Sequence, residues 1–94
     1  MKPSNEKEKQ KIIISLKKAN TLSAKLIEML EDGEYCIDIM QQNLAAIGLL
    51  RSAHHMLFEK HLNSCFKNAM ASGSIKIQTR MIEEILKVTK LANK

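Results

Sequence analysis

A chain of 94 residues, 45% of them apolar, is one domain long, and chains of this size bury only a modest share of their surface, so a second copy or a bound metal is a natural supplement to the core. With Trp absent, two Phe and one Tyr, that core falls to Ile, Leu, Met and Ala, which fit helix packing better than sheet packing and predict an all-α fold. The net charge of +5 suits an acidic partner such as nucleic acid. Two cysteines, a charged start without a secretory pattern and the lack of any run near 20 apolar residues point to a reducing cytoplasm, free thiols and no membrane partner.

Residues 1–8 are polar and charged, with Pro3 near the start, and read as a loose tail outside a single helical domain covering 1–94. From about Lys9 to Glu31, apolar or small residues recur at Ile12, Leu16, Ala19, Ser23, Leu26 and Leu30 in steps of four and three, while Lys17, Lys18, Lys25 and Glu28 fall off the stripe. This is the pattern of an amphipathic helix, and Asp32-Gly33 supplies its stop. A second helix is predicted over 34–71, with the stripe Cys36, Met40, Asn43, Ile47, Leu50, His54, Leu57, His61 and Cys65. Only Gly48 interrupts its good helix formers, either at a cost of about 1 kcal/mol or where another backbone comes close. Ser72-Gly73-Ser74 marks a turn, and a third helix over 76–91 places Ile77, Met81, Ile85 and Val88 on one side before a fraying end.

The long stripe holds four of the five cysteines and histidines. His61 and Cys65 are four apart, so on a helix they share a face and can share an ion. Thiolates select soft ions, above all copper(I) and zinc; copper(I) is content with three ligands, whereas structural zinc takes four. Cys36 is the candidate third donor, yet it lies 25 residues before His61, roughly 37 Å along one helix. Two copies of the helix packed antiparallel about a two-fold axis bring the start of one to the end of the other, with the midpoint at about residue 49 to 50, beside Gly48. The predicted site is therefore intersubunit, two per dimer. Beside this stands the plainer reading, in which Cys36 and Cys65 are inert core thiols, His54 is a hydrogen-bonded core histidine, His55 lies on the surface and the six methionines fill the core.

The stretch Tyr35-Cys36-Ile37-Asp38-Ile39, followed by His61-Leu62 and Cys65, resembles the copper-sensitive operon repressor family, whose relatives sense nickel, cobalt, formaldehyde or persulfide. The separations fit without a gap, and the likeness covers roughly residues 28–73, the flanking helices more loosely. The resemblance implies an antiparallel four-helix-bundle dimer of three-helix protomers that assembles into a disc-shaped homotetramer and represses its operon until metal releases it from operator DNA. It implies a trigonal copper(I) site of Cys36 from one protomer with His61 and Cys65 of the other, zinc being a competitor. A tyrosine and a third-helix glutamate that support such sites correspond to Tyr35 and Glu84, with Glu83 as the alternative because the preceding turn is about three residues longer than is usual. Nickel sensing is disfavoured, since its branch carries a histidine in place of Cys65 and another near the N-terminus. The formaldehyde branch needs a proline exposed at the N-terminus, whereas Lys2 precedes Pro3. The persulfide branch keeps both thiols and lacks the histidine, so His61 argues against dithiol sensing here.

The family's first helix carries an Arg-rich, Gln/Gly-containing signature, and here the matching stretch, Ser15 to Lys25, has neither arginine nor glycine. A basic position late in the second helix is His55. Lys17, Lys18, Lys25 and Arg51 remain as candidate DNA contacts, enough to attract phosphates but not a set of bidentate base readers. Two readings follow: a copper(I)-responsive repressor, or a copper-binding or helix-interaction protein of the same fold without specific repression, its lysines a solvated face. No paired carboxylates, nucleophile beside a base, phosphate loop or cofactor motif is found, so neither an enzyme nor an organic cofactor is expected.

Overall fold

The computed structural model describes residues 6–93, and all its elements are helical: α1 (Glu6–Glu31), α2 (Cys36–His61), a π-helical segment (Leu62–Phe66), α3 (Lys67–Ala71) and α4 (Ile75–Ala92). The chain is all-α, with three helical runs. Of the expected tail, residues 1–5 lie outside the described residues, whereas Glu6, Lys7 and Glu8 already belong to α1. Glu6 and Glu8 place negative charge in the first turn, where the helix dipole favours it. At the other end Ala92 closes α4 and Asn93 caps it, its N–H directed at the carbonyls of Leu91 and Thr89; Lys94 lies outside the described residues.

Among the described residues the fold divides into two compact units, 6–59 and 60–93. The first is an antiparallel hairpin of α1 and the greater part of α2. α1 stops because Gly33 adopts φ +69°, which lets Glu34 N–H reach the carbonyl of Met29 (3.0 Å) and Gly33 N–H that of Leu30 (3.2 Å). These two bonds form a Schellman closure, which satisfies carbonyls the helix end would otherwise leave without partners. Across the hairpin, the hydroxyl of the buried Ser15 donates to the carbonyl of Leu49 at 2.9 Å.

The face of α1 turned inward is Ile12, Ser15, Ala19, Leu22, Leu26 and Met29, not the row of Leu16, Ser23 and Leu30 that alternates with it; Leu30 is 70% exposed. The two rows share Ile12, Ala19 and Leu26 and differ by one residue at each other step. Ser15 can sit inside because its hydroxyl has a partner. On α2 the inward row is Ile39, Gln42, Ala46, Leu49, Ala53 and Met56. The row through Cys36, Met40, Asn43, Ile47, Leu50 and His54 lies about 100° round the helix and is exposed, Met40 and Leu50 each by 52%. α2 therefore carries two rows at core spacing, of which α1 covers one.

The second unit begins at the end of α2. The π-helical segment interrupts the expected uniform α-helix over 34–71: its i→i+5 bonding widens the turn that holds Cys65. Ser64 Oγ donates to the carbonyl of Lys60 at 2.7 Å, a side-chain bond to the preceding turn of the kind that bends helices. Gly73 (φ +74°) then reverses the chain, and Ser74 caps α4 by accepting the N–H of Ile77 at 3.3 Å. Gln78 Nε2 donates to the carbonyl of Met70 at 3.0 Å and fastens α4 to α3.

Glycine substitutions separate turn from helix. Gly33→Ala is expected to lower unfolding free energy by roughly 1 to 2 kcal/mol, since a side chain is strained at that φ. At Gly48 an added Cβ meets nothing within 4 Å, so Gly48→Ala is expected to raise stability by about 0.5 to 1 kcal/mol through helix propensity. Urea denaturation at fixed protein concentration measures both; equal effects of one sign would contradict this account.

Candidate metal centre

The chemistry-bearing side chains are placed by helix ends. Cys36 is the first residue of α2, just beyond the Gly33 closure, and is exposed. Tyr35, immediately before it, is 69% exposed, and its carbonyl accepts the N–H of Ile39 at 3.2 Å. His61 is the last residue of α2 and is half-buried; Cys65 lies in the π-helical segment, also half-buried. Neither cysteine is in a disulfide. Ser64 Oγ lies 3.9 Å from Cys65 Sγ, its proton being given to the Lys60 carbonyl. His61 Nε2 lies 3.1 Å from Met81 Sδ of α4.

The protein thus brings His61 to Met81 and Ser64 to Cys65. Among the described residues of one chain, no group of three or more His, Cys, Asp and Glu is assembled that could hold a metal ion. Glu83 and Glu84 are exposed on α4. His54 is exposed, its ring 6.2 Å from that of His55 and 6.3 Å from that of Phe58. Lys17, Lys18 and Lys25 are exposed along α1, and Arg51 is exposed on α2. Met81 is the residue that the sequence pattern passed over: read as core filler on the Ile77, Met81, Ile85 stripe, it meets an imidazole. Its place in that stripe gave the inward face, but the register of α4 against the end of α2 depends on the turn at 72–74, which spacing alone does not define.

The sequence profile of the metal-sensitive transcriptional repressors matches residues 8–91. The chain belongs to this family. The family is one of metal-sensitive transcriptional repressors, which are not enzymes. Among curated relatives, the copper-sensing transcriptional repressor CsoR of Mycobacterium tuberculosis strain H37Rv is 35% identical over 48 residues, which is 51% of this chain and 40% of the relative. CsoR of Mycobacterium ulcerans is 38% identical over 48 residues, covering 51% and 41%. The copper-sensing transcriptional repressor RicR of Mycobacterium tuberculosis is 30% identical over 66 residues, covering 70% and 69%. The chain therefore aligns with about two fifths of the length of the CsoR relatives and about two thirds of RicR. No solved structure matches it significantly. No helix among the described residues is long and apolar enough to cross a membrane.

The Ser64 hydroxyl joins the turn that carries Cys65 to the backbone at Lys60. Ser64→Ala removes the bond to the Lys60 carbonyl and is expected to cost about 1 kcal/mol of stability, read by chemical denaturation at fixed protein concentration. A change below a few tenths of that would mean the π-helical winding is held by other contacts.

Proposed function

We propose that this repressor senses copper(I), bound by Cys36 of one protomer with His61 and Cys65 of a second, and that binding releases it from operator DNA. The observation that carries the reading is the second row of α2. Cys36, Met40, Ile47 and Leu50 stand on it at core spacing, yet they are exposed in the single chain. Contiguous apolar surface of this kind marks a place for a partner, and a second copy packed antiparallel through the same row is self-complementary. That arrangement returns Cys36 of one helix to the end of the other, since 36 and 61 to 65 are related about a point near Leu49 and Leu50. Gly48 lies off this row, about 100° round the helix from Ile47.

The donor set fits copper(I). Two thiolates and one imidazole are soft and three in number, and both cysteines are uncommitted to a disulfide. When bound, the metal supplies a link between two protomers that apolar contact alone leaves adjustable. The residues do the rest: Cys36 is held at a helix start fixed by the Gly33 closure, and Cys65 is aimed by the wider π turn. Tyr35 flanks the first thiolate and Glu84 is kept as an outlying carboxylate of the site. Lys17, Lys18, Lys25 and Arg51 offer exposed charge to DNA phosphates. Because coupling between two ligands is reciprocal, DNA weakens copper binding by the same factor by which copper weakens DNA binding.

Anaerobic titration of the reduced protein with copper(I) against a competing chelator is expected to give one tightly held ion per protomer, lost in Cys36→Ala and in His61→Ala. Mixing the two variants should restore one site per mixed dimer, because each lacks a donor that the other supplies; no restoration would sink the intersubunit arrangement. On DNA, log affinity should fall linearly with log salt, and Lys18→Ala should reduce that slope by roughly one if the lysine meets a phosphate. An unchanged slope would remove Lys18 from the contact surface.

A further inference from the structure

We infer that Asn43 of one protomer and His54 of a second form a polar pair that sets the register of two antiparallel α2 helices and so keeps Cys36 level with His61. The pair rests on the reading that a second copy covers the exposed row of α2; what it adds is the device that aligns the two copies. From Cys36 to His61 the row advances by four, three, four, three, four, three and four residues, a series that is the same in either direction. An antiparallel copy therefore meets it member for member.

In that arrangement Cys36 stands level with His61, and Met40 with Leu57. Nearer the two-fold axis, Asn43 stands level with His54, and Ile47 with Leu50. Soft donors thus meet at the ends, apolar residues meet in two layers, and the two polar residues between the ends meet each other. Both are exposed in the single chain, the ring of His54 lying 6.2 Å from that of His55 and 6.3 Å from that of Phe58 on its own helix.

An asparagine amide both donates and accepts, and so does a neutral imidazole, so the two can bond in either tautomer. The layers on each side are apolar, and a polar group enclosed there without a partner costs its full desolvation. To keep the row against itself, a slip must be by one heptad, about 10 Å. Slipped one way, Asn43 meets Ile47; slipped the other, His54 meets Leu50. Each slip sets a polar group against an aliphatic side chain, twice over by symmetry, and parts Cys36 from His61. Apolar contact alone would not prevent it, since Met40 would then meet Leu50, or Ile47 would meet Leu57, at little loss. A polar residue at one core position specifies register in coiled coils in the same way, at a cost in stability.

The test compares the full-length, metal-free protein with Asn43→Leu, His54→Leu, the double leucine variant and the exchanged variant Asn43→His/His54→Asn. Urea denaturation at several protein concentrations reads dimer stability whether or not free monomer is populated. Each single substitution is expected to weaken the dimer by roughly tenfold or more, and the double leucine and exchanged variants to return to within a few-fold of the parent. Single losses that merely add in the double variant, or an exchange that gives no rescue, overturn the pair. Register is read separately by dipolar spectroscopy of a spin label at Gln41→Cys, an exposed position off both rows, with Cys36 and Cys65 replaced by serine. The parent should give one label-to-label distance; the double leucine variant should add a second population, displaced by about 10 Å along the helix axis. One distance in both proteins, several in the parent, or a parent that stays monomeric overturns the inference. Copper(I) titration judges the metal reading apart from this. A dimer with coupled Asn43 and His54 that takes up no copper keeps the pair and sinks the sensor, whereas copper shared between chains without that coupling sinks the pair alone.

Discussion

The constraint on which this molecule turns is that α2 carries two rows at core spacing and α1 can cover only one. The covered row is narrow, its buried members being Ala46 and Ala53 on α2 and Ile12, Ser15, Ala19 and Met29 on α1, and no large side chain is fully buried among the described residues. Small residues let two helices approach closely but remove little apolar area from water, and stabilisation scales with that area. A hairpin built this way is marginal alone. The uncovered row, with Met40, Ile47 and Leu50, is where the missing burial is available, and on the proposed reading a second copy supplies it. On that reading stability and sensing would share one surface, and the two protomers would be in contact before the ion arrives.

The devices that place the candidate ligands are local and rigid. Gly33 closes α1 and starts α2 within a few residues, which leaves Cys36 little freedom of direction. At the other end, a regular α-helix would carry Cys65 directly over His61; the π-helical segment widens that turn, with Ser64 bonded to Lys60 across it. Extra residues of this kind within helices recur at functional sites because they re-aim side chains at small cost in backbone bonding. Here the re-aimed side chain is a thiol.

The helix ends were legible because they rest on residues with one conformational meaning. Asp32-Gly33 and Ser72-Gly73-Ser74 each contain a glycine at positive φ, and Ser74 is a cap by its chemistry. The choice of inward row was not, since Leu16 and Ser15 are neighbours and hydropathy alone favours Leu16; the deciding fact is the Ser15 hydroxyl bond to Leu49, a tertiary contact. On α2 the stripe that periodicity picked out is exposed and faces away from α1, because periodicity marks rows at core spacing without saying which of them a neighbouring helix covers. The Cys36, His61 and Cys65 set stood out through spacing and soft-donor chemistry. Met81 did not, for a methionine on an apolar stripe looks the same whether it meets a leucine or an imidazole.

The basic face bears on how such a sensor would let go of DNA. Along the stretch of α1 from Ser15 to Lys25 the exposed cations are lysines, compact point charges that bind phosphate without the two-pronged geometry by which arginine reads a guanine. Contacts of that kind fix register by their spacing, so selectivity rests on how well an array of charges on several protomers matches the path of the backbone and the local shape of the duplex. Base-reading side chains tolerate small shifts of the platform that carries them, since each contact is local. An array spread over protomers does not, because a change in the angle between two α1 helices misplaces every distant charge together. Tightening the dimer at two symmetric metal sites would act on that angle. On the proposed reading, a lysine-based surface would make repression more dependent on dimer geometry, and so would couple it more closely to an ion held by Cys36, His61 and Cys65.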